Sequence, residues 1–515
     1  MPKEHTNIEG NKRIAKNTLY LYFRTILIML ITLYTSRVIL NTLGVEDYGI
    51  YNTIGGTVSM FTILTGALSV AISRYITFEL GKKQNTKERL RVIFSTSIRI
   101  QLFLSFIIIV LGETIGLWFL NTHLNIPAER MIAANWVWQC CLFSFIVGLI
   151  SVPYNALIIA HEQMNAYAFI SILDVTLRLG ICYLLIISPW DKLSTYSVLL
   201  VAVAATIQLT YAIYSKKHFS ECKFVKEKDN KLTKEMLGFA GFSFLNNAAN
   251  IFNSQGLNLL INIFFGVIFN AARGVATQVE SAILQLVNNL TVAVNPQITK
   301  AYASGDYSRV YTLVCRGTKY AYFLLLIFAI PVYIETDFIL QKWLKVVPDN
   351  TCLFLRLSLI GGMIKMLGNT GYTACMATGK IKNYSIWITS VGIMAFPLTW
   401  VSFKFGAPAE FAYYIFIGVY IAVEIVRLIL MKRMIGFPIK MFVYEVVCKV
   451  IYVTPIAVAL PFFLSQNMGM GWIRLIVMLL VSTVSTLATI WFVGMCYEER
   501  QYLAGIIKNK IHSTK

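Results

Sequence analysis

Apolar runs of about 20 residues follow one another from near Asn17 to Cys496, each long enough to cross the hydrocarbon core of a bilayer as a helix. In that solvent a backbone satisfies its own hydrogen bonds as a helix or as a closed barrel, and by no other route. The strict alternation of barrel strands is absent, so the expected fold is all-α and polytopic. Composition agrees: hydrophobic residues make up 57% and charged residues 14% of the 515, with a mean hydropathy of +0.65. A soluble domain carries nearly twice that charge. About 14 transmembrane helices are expected, over 17–40, 48–72, 93–120, 134–160, 166–188, 196–215, 237–265, 268–297, 319–341, 353–378, 384–404, 411–431, 442–464 and 472–496.

The net charge of +20 is a matter of orientation. With the N-terminus inside, roughly 29 Lys and Arg fall on the cytoplasmic side and about five outside, the bias that sets topology. Both termini are then cytoplasmic, and nucleic acid is not an expected partner. Lys3, Lys12, Arg13 and Lys16 precede the first apolar run, but no small-residue cleavage site follows it, so it reads as a retained span. The largest basic loop, 216–236, carries Lys216, Lys217, Lys223, Lys226, Lys228, Lys231 and Lys234. It reads as a topology anchor beside anionic membrane lipid, which places Cys222 on the cytoplasmic side. The nine cysteines are scattered, with one adjacent pair, Cys140-Cys141, inside an apolar span; no spacing suggests a metal or a disulfide framework. Loops are short, leaving no room for a nucleotide-binding domain, and there is no Gly-rich phosphate loop. No cofactor and no enzymatic activity are expected.

The chain also repeats itself. Gly44-Val45 and Leu68-Ser69-Val70-Ala71 reappear as Gly266-Val267 and Leu290-Thr291-Val292-Ala293, and Ile76-Thr77 as Ile298-Thr299. Pro127 is answered by Pro348, and Tyr154, Ala156 and Asn165 by Tyr372, Ala374 and Asn383, at an offset near roughly 220 residues. In a chain of membrane spans such a repeat marks a transporter. The expected organisation is a cytoplasmic segment 1–16, an N-lobe 17–215 of six spans, the basic linker 216–236, a C-lobe 237–431 of six spans, and an appended segment 432–515 with spans 13 and 14. Six spans per lobe leave both lobes in the same orientation, related by an axis along the membrane normal with a cavity between them.

A charge inside a span costs about 2.5–3.5 kcal/mol and needs a reason. Arg24 lies about eight residues into span 1, roughly 12 Å along the helix. Arg37 and Arg74 lie near span ends, where a long side chain reaches the headgroups. Asp174 and Arg178 are four apart and can pair on one face. Span 8 holds Arg273 and Glu280, on one face but too far apart along it to touch. In span 7, Asn246, Asn250 and Asn253 recur at helical spacing, with Asn247, Gln255, Asn258 and Asn262 nearby. Span 8 repeats the stripe with Gln278, Ser281, Gln285 and Asn288. Two polar stripes can bond one another, or line a water-filled cavity. Carboxamides donate and accept without net charge, which suits hydroxyl-rich sugars. Guanidinium suits phosphate or pyrophosphate through planar bidentate bonding.

The stretch Arg37 to Tyr51 (RVILNTLGVEDYGIY) resembles the end of the first helix in Wzx-type flippases and related polysaccharide exporters. Tyr154 to Asn165 and its echo Tyr372 to Asn383 are similar to the turns between the fourth and fifth helices of the same group. These are members of the multidrug/oligosaccharidyl-lipid/polysaccharide (MOP) exporter superfamily. The resemblance implies a V-shaped pair of six-helix lobes flipping an undecaprenyl-pyrophosphate-linked oligosaccharide to the periplasmic leaflet of a bacterial inner membrane. It implies arginines on helices 1, 2 and 8, which Arg24, Arg37, Arg74 and Arg273 match by helix. Asp174 and Glu280 are then candidate coupling carboxylates for H+ or Na+. A polysaccharide polymerase and a chain-length regulator are the implied partners, in O-antigen (lipopolysaccharide), capsule or other polysaccharide biosynthesis. The alternative is a cation-coupled, MATE-like multidrug antiporter, which would favour acidic and aromatic residues; embedded arginines outnumber embedded acids here. A membrane-embedded glycosyltransferase or ligase lacks its paired carboxylates and large outer loop.

Overall fold

The computed structural model describes residues 2–62, 87–161, 163–227, 229–378 and 381–501, with isolated positions between 68 and 80; side chains within 2–24, 239–251 and 289–293 and at a few single positions lie outside that set. Every regular element among the described residues is helical. In chain order these are α1 (Pro2–Ser59), α2 (Lys87–His123), α3 (Ala128–Ala160), α4 (Met164–Ile187), α5 (Lys192–His218), α6 (Asn230–Phe265) and α7 (Val267–Ala303). They continue as α8 (Tyr307–Ile334), the short α9 (Thr336–Trp343), α10 (Thr351–Ala377), α11 (Lys382–Lys404), α12 (Phe411–Ile435), α13 (Ile439–Asn467) and α14 (Trp472–Gly494).

Among the described residues, 11 helices are long and apolar enough to cross a membrane, so the protein is a multi-pass membrane protein. Ten of them overlap the expected spans 3–6 and 9–14, and the eleventh, Thr25–Ser59, overlaps the first and the second. The expected spans 48–72, 237–265 and 268–297 include residues outside the described ones. One boundary moves. The helix of the expected span 319–341 starts at Tyr307, because the Asp306 side chain caps it by accepting from the Arg309 N–H. It ends at Ile334, and Thr336–Trp343 is a separate helix.

The chain divides into two compact units. The first comprises Met1–Gly274 with Phe396–Ala409, the second Val275–Ala395 with Glu410–Lys515. In lipid, apolar side chains gain little by leaving the solvent, so close packing and interhelical hydrogen bonds hold such units together. In the first unit, two glycines set the geometry. Gly44 (φ 82, ψ 173) breaks α1, and Gly266 (φ 83, ψ −175) separates α6 from α7; these are the two positions the sequence repeat pairs. An L-residue is disfavoured at that φ. The half of α1 after Gly44 then packs closely on α6 and α7. A Cβ at Gly49 would collide with the Val267 carbonyl, and one at Gly56 would lie 2.8 Å from Gln255 Oε1 and 2.9 Å from Asn258 Nδ2.

The basic loop between α5 and α6 is packed, not free. Arg99 of α2 donates to the carbonyls of Val225 (2.5 Å) and Glu227 (2.6 Å), and Ser95 Oγ accepts from the Val225 N–H. Arg89 pairs with Asp229 at 2.7 Å, and His161 with Glu221 at 2.5 Å. Cys222 is buried in this arrangement.

The second unit is built on α8. Its Tyr322, Phe323, Leu326 and Ile330 pack against Val453 and Ala457 of α13 and Ile490 of α14. Beside that core Lys319 is 1% exposed and donates to both oxygens of Glu499, at 2.8 and 3.1 Å. Arg316 Nε reaches Glu499 at 3.1 Å, and the Cys496 N–H donates to it at 3.1 Å. Burial pushes the Glu499 carboxyl up, but the Lys319 hydrogen bond and the Cys496 N–H outweigh it, and its pKa lies below the ordinary glutamate value. Removing one partner of a buried pair leaves an uncompensated charge. Glu499→Gln is therefore predicted to cost about 3–5 kcal/mol and to lower the thermal midpoint, with Lys319→Met/Glu499→Leu recovering part of it. Because the folded pKa is depressed, the contribution is complete above the unfolded glutamate pKa and is lost as pH falls through the folded one. A midpoint unchanged by Glu499→Gln in detergent at neutral pH contradicts this.

Candidate functional site

The sequence places its polar stripes on α6 and α7, and the structure shows what their described parts do. Asn262 is fully buried, accepts from the Asn125 N–H at 2.8 Å and fastens the turn before α3 to α6. Asn258 Oδ1 accepts from Arg273 Nε at 2.9 Å, and its backbone carbonyl accepts from Asn270 Nδ2 at 2.8 Å. The Ser254 carbonyl accepts from Arg273 Nη2 at 3.0 Å. Arg273 is 6% exposed, and so is Asn253. In this part of the hairpin, carboxamides position a buried guanidinium, and Gly56 of α1 supplies the space beside them.

Further along α7 the stripe changes character. Ser281, Gln285 and Asn288 are exposed and lie one and two turns apart on one face, while Ile283 and Val287 on the other face are buried. Gln278 and Glu280 are half-buried, and Glu280 lies close enough to α10 that a Cβ at Gly362 would sit 3.4 Å from its Oε1. Asn288 accepts from Asn369 Nδ2 at 3.2 Å. Such a face is ill-suited to hydrocarbon and well suited to water or a hydroxylated ligand.

Asp174 and Arg178 pair on α4 with Nε to Oδ1 at 3.0 Å, as their spacing predicts. They stand on the wall of a cavity of about 340 Å³ inside the first unit, which also takes in Tyr51, Ser59, Ser144, Ser197 and Gln208. Arg37 is half-buried on α1. The side chains of Arg24, Arg74, Asn246 and Asn250 lie outside the described residues.

A second embedded ion pair is one that the sequence patterns above do not single out. Arg427 Nη1 meets Glu424 Oε1 at 2.7 Å on α12, and Arg427 Nε donates to Tyr384 Oη at 2.9 Å. A Cβ at Gly368 would collide with this pair, so the glycine makes room for it. The signal was present as two charges three apart in the expected span 411–431. Among the described residues no group of His, Cys, Asp and Glu is placed to hold a metal. Asn258→Leu removes the acceptor of the Arg273 Nε–H and is predicted to cost about 1–3 kcal/mol, seen as a lower thermal midpoint. Gly55→Ala, where an added Cβ meets nothing within 4 Å, is the silent control. Equal midpoints for the two variants would sink the positioning role.

Compared with known proteins, residues 14–301, more than half of the chain, match a family model described as "Polysaccharide biosynthesis protein". Among solved structures, the lipid II flippase MurJ in an inward closed conformation is similar with a TM-score of 0.70 and 13% identity, covering 92% of this chain and 98% of that one. An inward-facing multidrug resistance MATE transporter of the MOP superfamily gives 0.62 at 13% identity, with 79% and 98% covered. The MATE multidrug transporter DinF-BH gives 0.59 at 15% identity, with 82% and 95% covered. No curated protein sequence matches the chain. At these identities the likeness is one of fold: the chain has the fold shared by MurJ and the MATE transporters.

Proposed function

The chain belongs to the polysaccharide biosynthesis protein family, and from that premise we propose that it flips an undecaprenyl-pyrophosphate-linked oligosaccharide from the cytoplasmic to the periplasmic leaflet by alternating access. The observation that carries this reading is the exposed face of Ser281, Gln285 and Asn288 on α7. Carboxamides and hydroxyls on a helix of a membrane protein call for wet surroundings, and they bond sugar hydroxyls as readily as water. Arg24, Arg37, Arg74 and Arg273 are the proposed contacts for the pyrophosphate. Asn246, Asn250, Asn253 and Gln278 extend the proposed sugar contacts, and Asp174 and Glu280 are the proposed coupling carboxylates for an H+ or Na+ gradient. The protein would sit in a bacterial inner membrane with both termini cytoplasmic, supplying a polysaccharide polymerase and chain-length regulator.

The MATE-like fold also supports a drug antiporter. Two embedded ion pairs count against it, since Asp174 meets Arg178 and Glu424 meets Arg427, so neither of these carboxylates offers uncompensated charge to a cationic drug.

The deciding experiment follows a short undecaprenyl-pyrophosphate oligosaccharide between leaflets of proteoliposomes. Wild type should translocate it, Arg24→Ala should not, and Gln285→Leu/Asn288→Leu should slow it at least about tenfold, or roughly 1.4 kcal/mol of barrier. No translocation under any imposed ion gradient, with efflux of a cationic dye instead, would move the antiporter into first place. Orientation has its own test. Cys222 is buried and a poor reporter, whereas Lys217 is exposed in the last turn of α5, just before that loop. Lys217→Cys should react with an impermeant thiol reagent in inverted vesicles and stay unlabelled above the wild-type level in intact cells; the reverse pattern overturns the topology.

A further inference from the structure

The helix α10 carries a lysine near its middle. Lys365 lies roughly 21 Å from the Thr351 end of the helix and roughly 18 Å from the Ala377 end, at 1.5 Å per residue. A side chain of four methylenes covers only a fraction of either distance, so Lys365 does not reach the headgroups by stretching along the helix. A lysine at such a depth costs about 2.5–3.5 kcal/mol on insertion and needs a reason.

The reason that serves elsewhere, a carboxylate partner, is missing. Lys365 is exposed and makes no ion pair among the described residues. Glu424 on the neighbouring α12 is held by Arg427 at 2.7 Å. Glu280 of α7 lies beside Gly362, one turn before Lys365, and forms no ion pair with it. What Lys365 does meet is Tyr420 of α12, whose ring centroid is 5.8 Å from Nζ. A ring face at that distance attracts an ammonium by about 0.5–1 kcal/mol at an exposed site. It steadies the side chain and leaves the positive charge uncompensated.

The contacts on either side fix where this charge stands. A Cβ at Gly362 would lie 3.4 Å from Glu280 Oε1 and 3.4 Å from both Leu284 methyl carbons, and Asn369 Nδ2 donates to Asn288 Oδ1 at 3.2 Å. Over this stretch α10 therefore runs beside α7. Lys365 follows Gly362 by three residues and precedes Asn369 by four, which puts all three on one face. It stands level with the part of α7 that presents Ser281, Gln285 and Asn288.

That face of α7 is polar but uncharged. Arg273 on the same helix is 6% exposed and already engaged by Asn258 and Ser254. The charge available beside Ser281, Gln285 and Asn288 is then the Lys365 ammonium. A compact ammonium with three donors suits a phosphate oxygen and repels a cation.

We propose that Lys365 is a substrate-binding residue that takes a phosphate of a prenyl-linked sugar, while the neighbouring face of α7 takes the sugar hydroxyls. This rests on the transport reading and adds to it a cation that the sequence patterns do not single out.

The test is equilibrium binding to the purified full-length protein in phosphatidylcholine nanodiscs. The probes are a short polyprenyl pyrophosphate without sugar and the uncharged polyprenol of the same length. Wild type should bind the pyrophosphate more tightly than the alcohol. Lys365→Gln should weaken pyrophosphate binding at least about tenfold and leave alcohol binding unchanged, and Lys365→Arg should restore most of the loss. Because the side chain is exposed and unpaired, the thermal midpoint of Lys365→Gln should match wild type; a lowered midpoint with unchanged binding would assign Lys365 to structure instead. Displacement of the pyrophosphate probe by phosphatidylglycerol at equal concentration would give the site to bulk anionic lipid and overturn the proposal. Pyrophosphate binding that survives Lys365→Gln overturns this inference alone. Absence of pyrophosphate binding to wild type overturns it too, and the leaflet assay then decides the transport reading separately.

Discussion

A charge held away from water needs a partner, and the helices of this protein and the segments at their ends are arranged around that requirement. Asp174 is joined to Arg178, Glu424 to Arg427, Lys319 to Glu499 and Glu335 to Arg474. Two of these pairs lie within one helix and cost little to organise. The other two cross between elements far apart in sequence, and so fix where those elements sit. Lys319 is the clearest case: at 1% exposure it is tolerated beside an apolar core because Glu499 and the more distant Glu445 face it. The carboxylate is itself held by a backbone N–H, so the pair is more than a point contact.

The same demand shapes the backbone. Glycine appears where a polar group must come close. Gly368 leaves room for the Arg427–Glu424 pair, and Gly49 and Gly56 let α1 approach the Val267 carbonyl and the Gln255 and Asn258 carboxamides. Helices in lipid gain their adhesion from such close approach and from interhelical hydrogen bonds. The buried Arg273 is the product of both, held by Asn258 and Ser254 of the preceding helix across the break at Gly266.

Much of this was legible in the chain. Runs of apolar residues located the helices because length and hydropathy are sufficient signals in a bilayer, and the resemblance at Arg37 to Tyr51 pointed to the family and fold that the comparisons show. Gly44 and Gly266 were visible as a repeated pair, and they share one unusual backbone conformation. What periodicity could not supply was the partner of each polar side chain. Spacing paired Asp174 with Arg178 because both lie on one helix, but nothing local joins Lys319 to Glu499 or Arg474 to Glu335. The carboxamide stripes show the same boundary. A period of three and four residues drew them correctly onto a face, yet whether that face is buried, as at Asn262, or exposed, as at Gln285 and Asn288, depends on which helix lies opposite.

The appended hairpin α13–α14 illustrates how far partner chemistry carries an argument. By sequence it has no counterpart in the repeat, and simple packing on a lobe would explain it. Packing alone would be served by an apolar face, since Leu against Leu is the least demanding contact in lipid. Instead the hairpin brings Arg474 to Glu335 at its α14 start, while Glu499 just beyond its far end reaches Lys319, so that α8 is gripped by charge at two separate places. The two grips are not equivalent. At Lys319 both Glu499 oxygens are engaged, and the contact is closed. At Glu335 one oxygen is engaged and the other is buried without a partner, so the contact is incomplete. The Glu335 grip is therefore the weaker of the two, because an unpartnered buried oxygen subtracts from the stability that the ion pair provides.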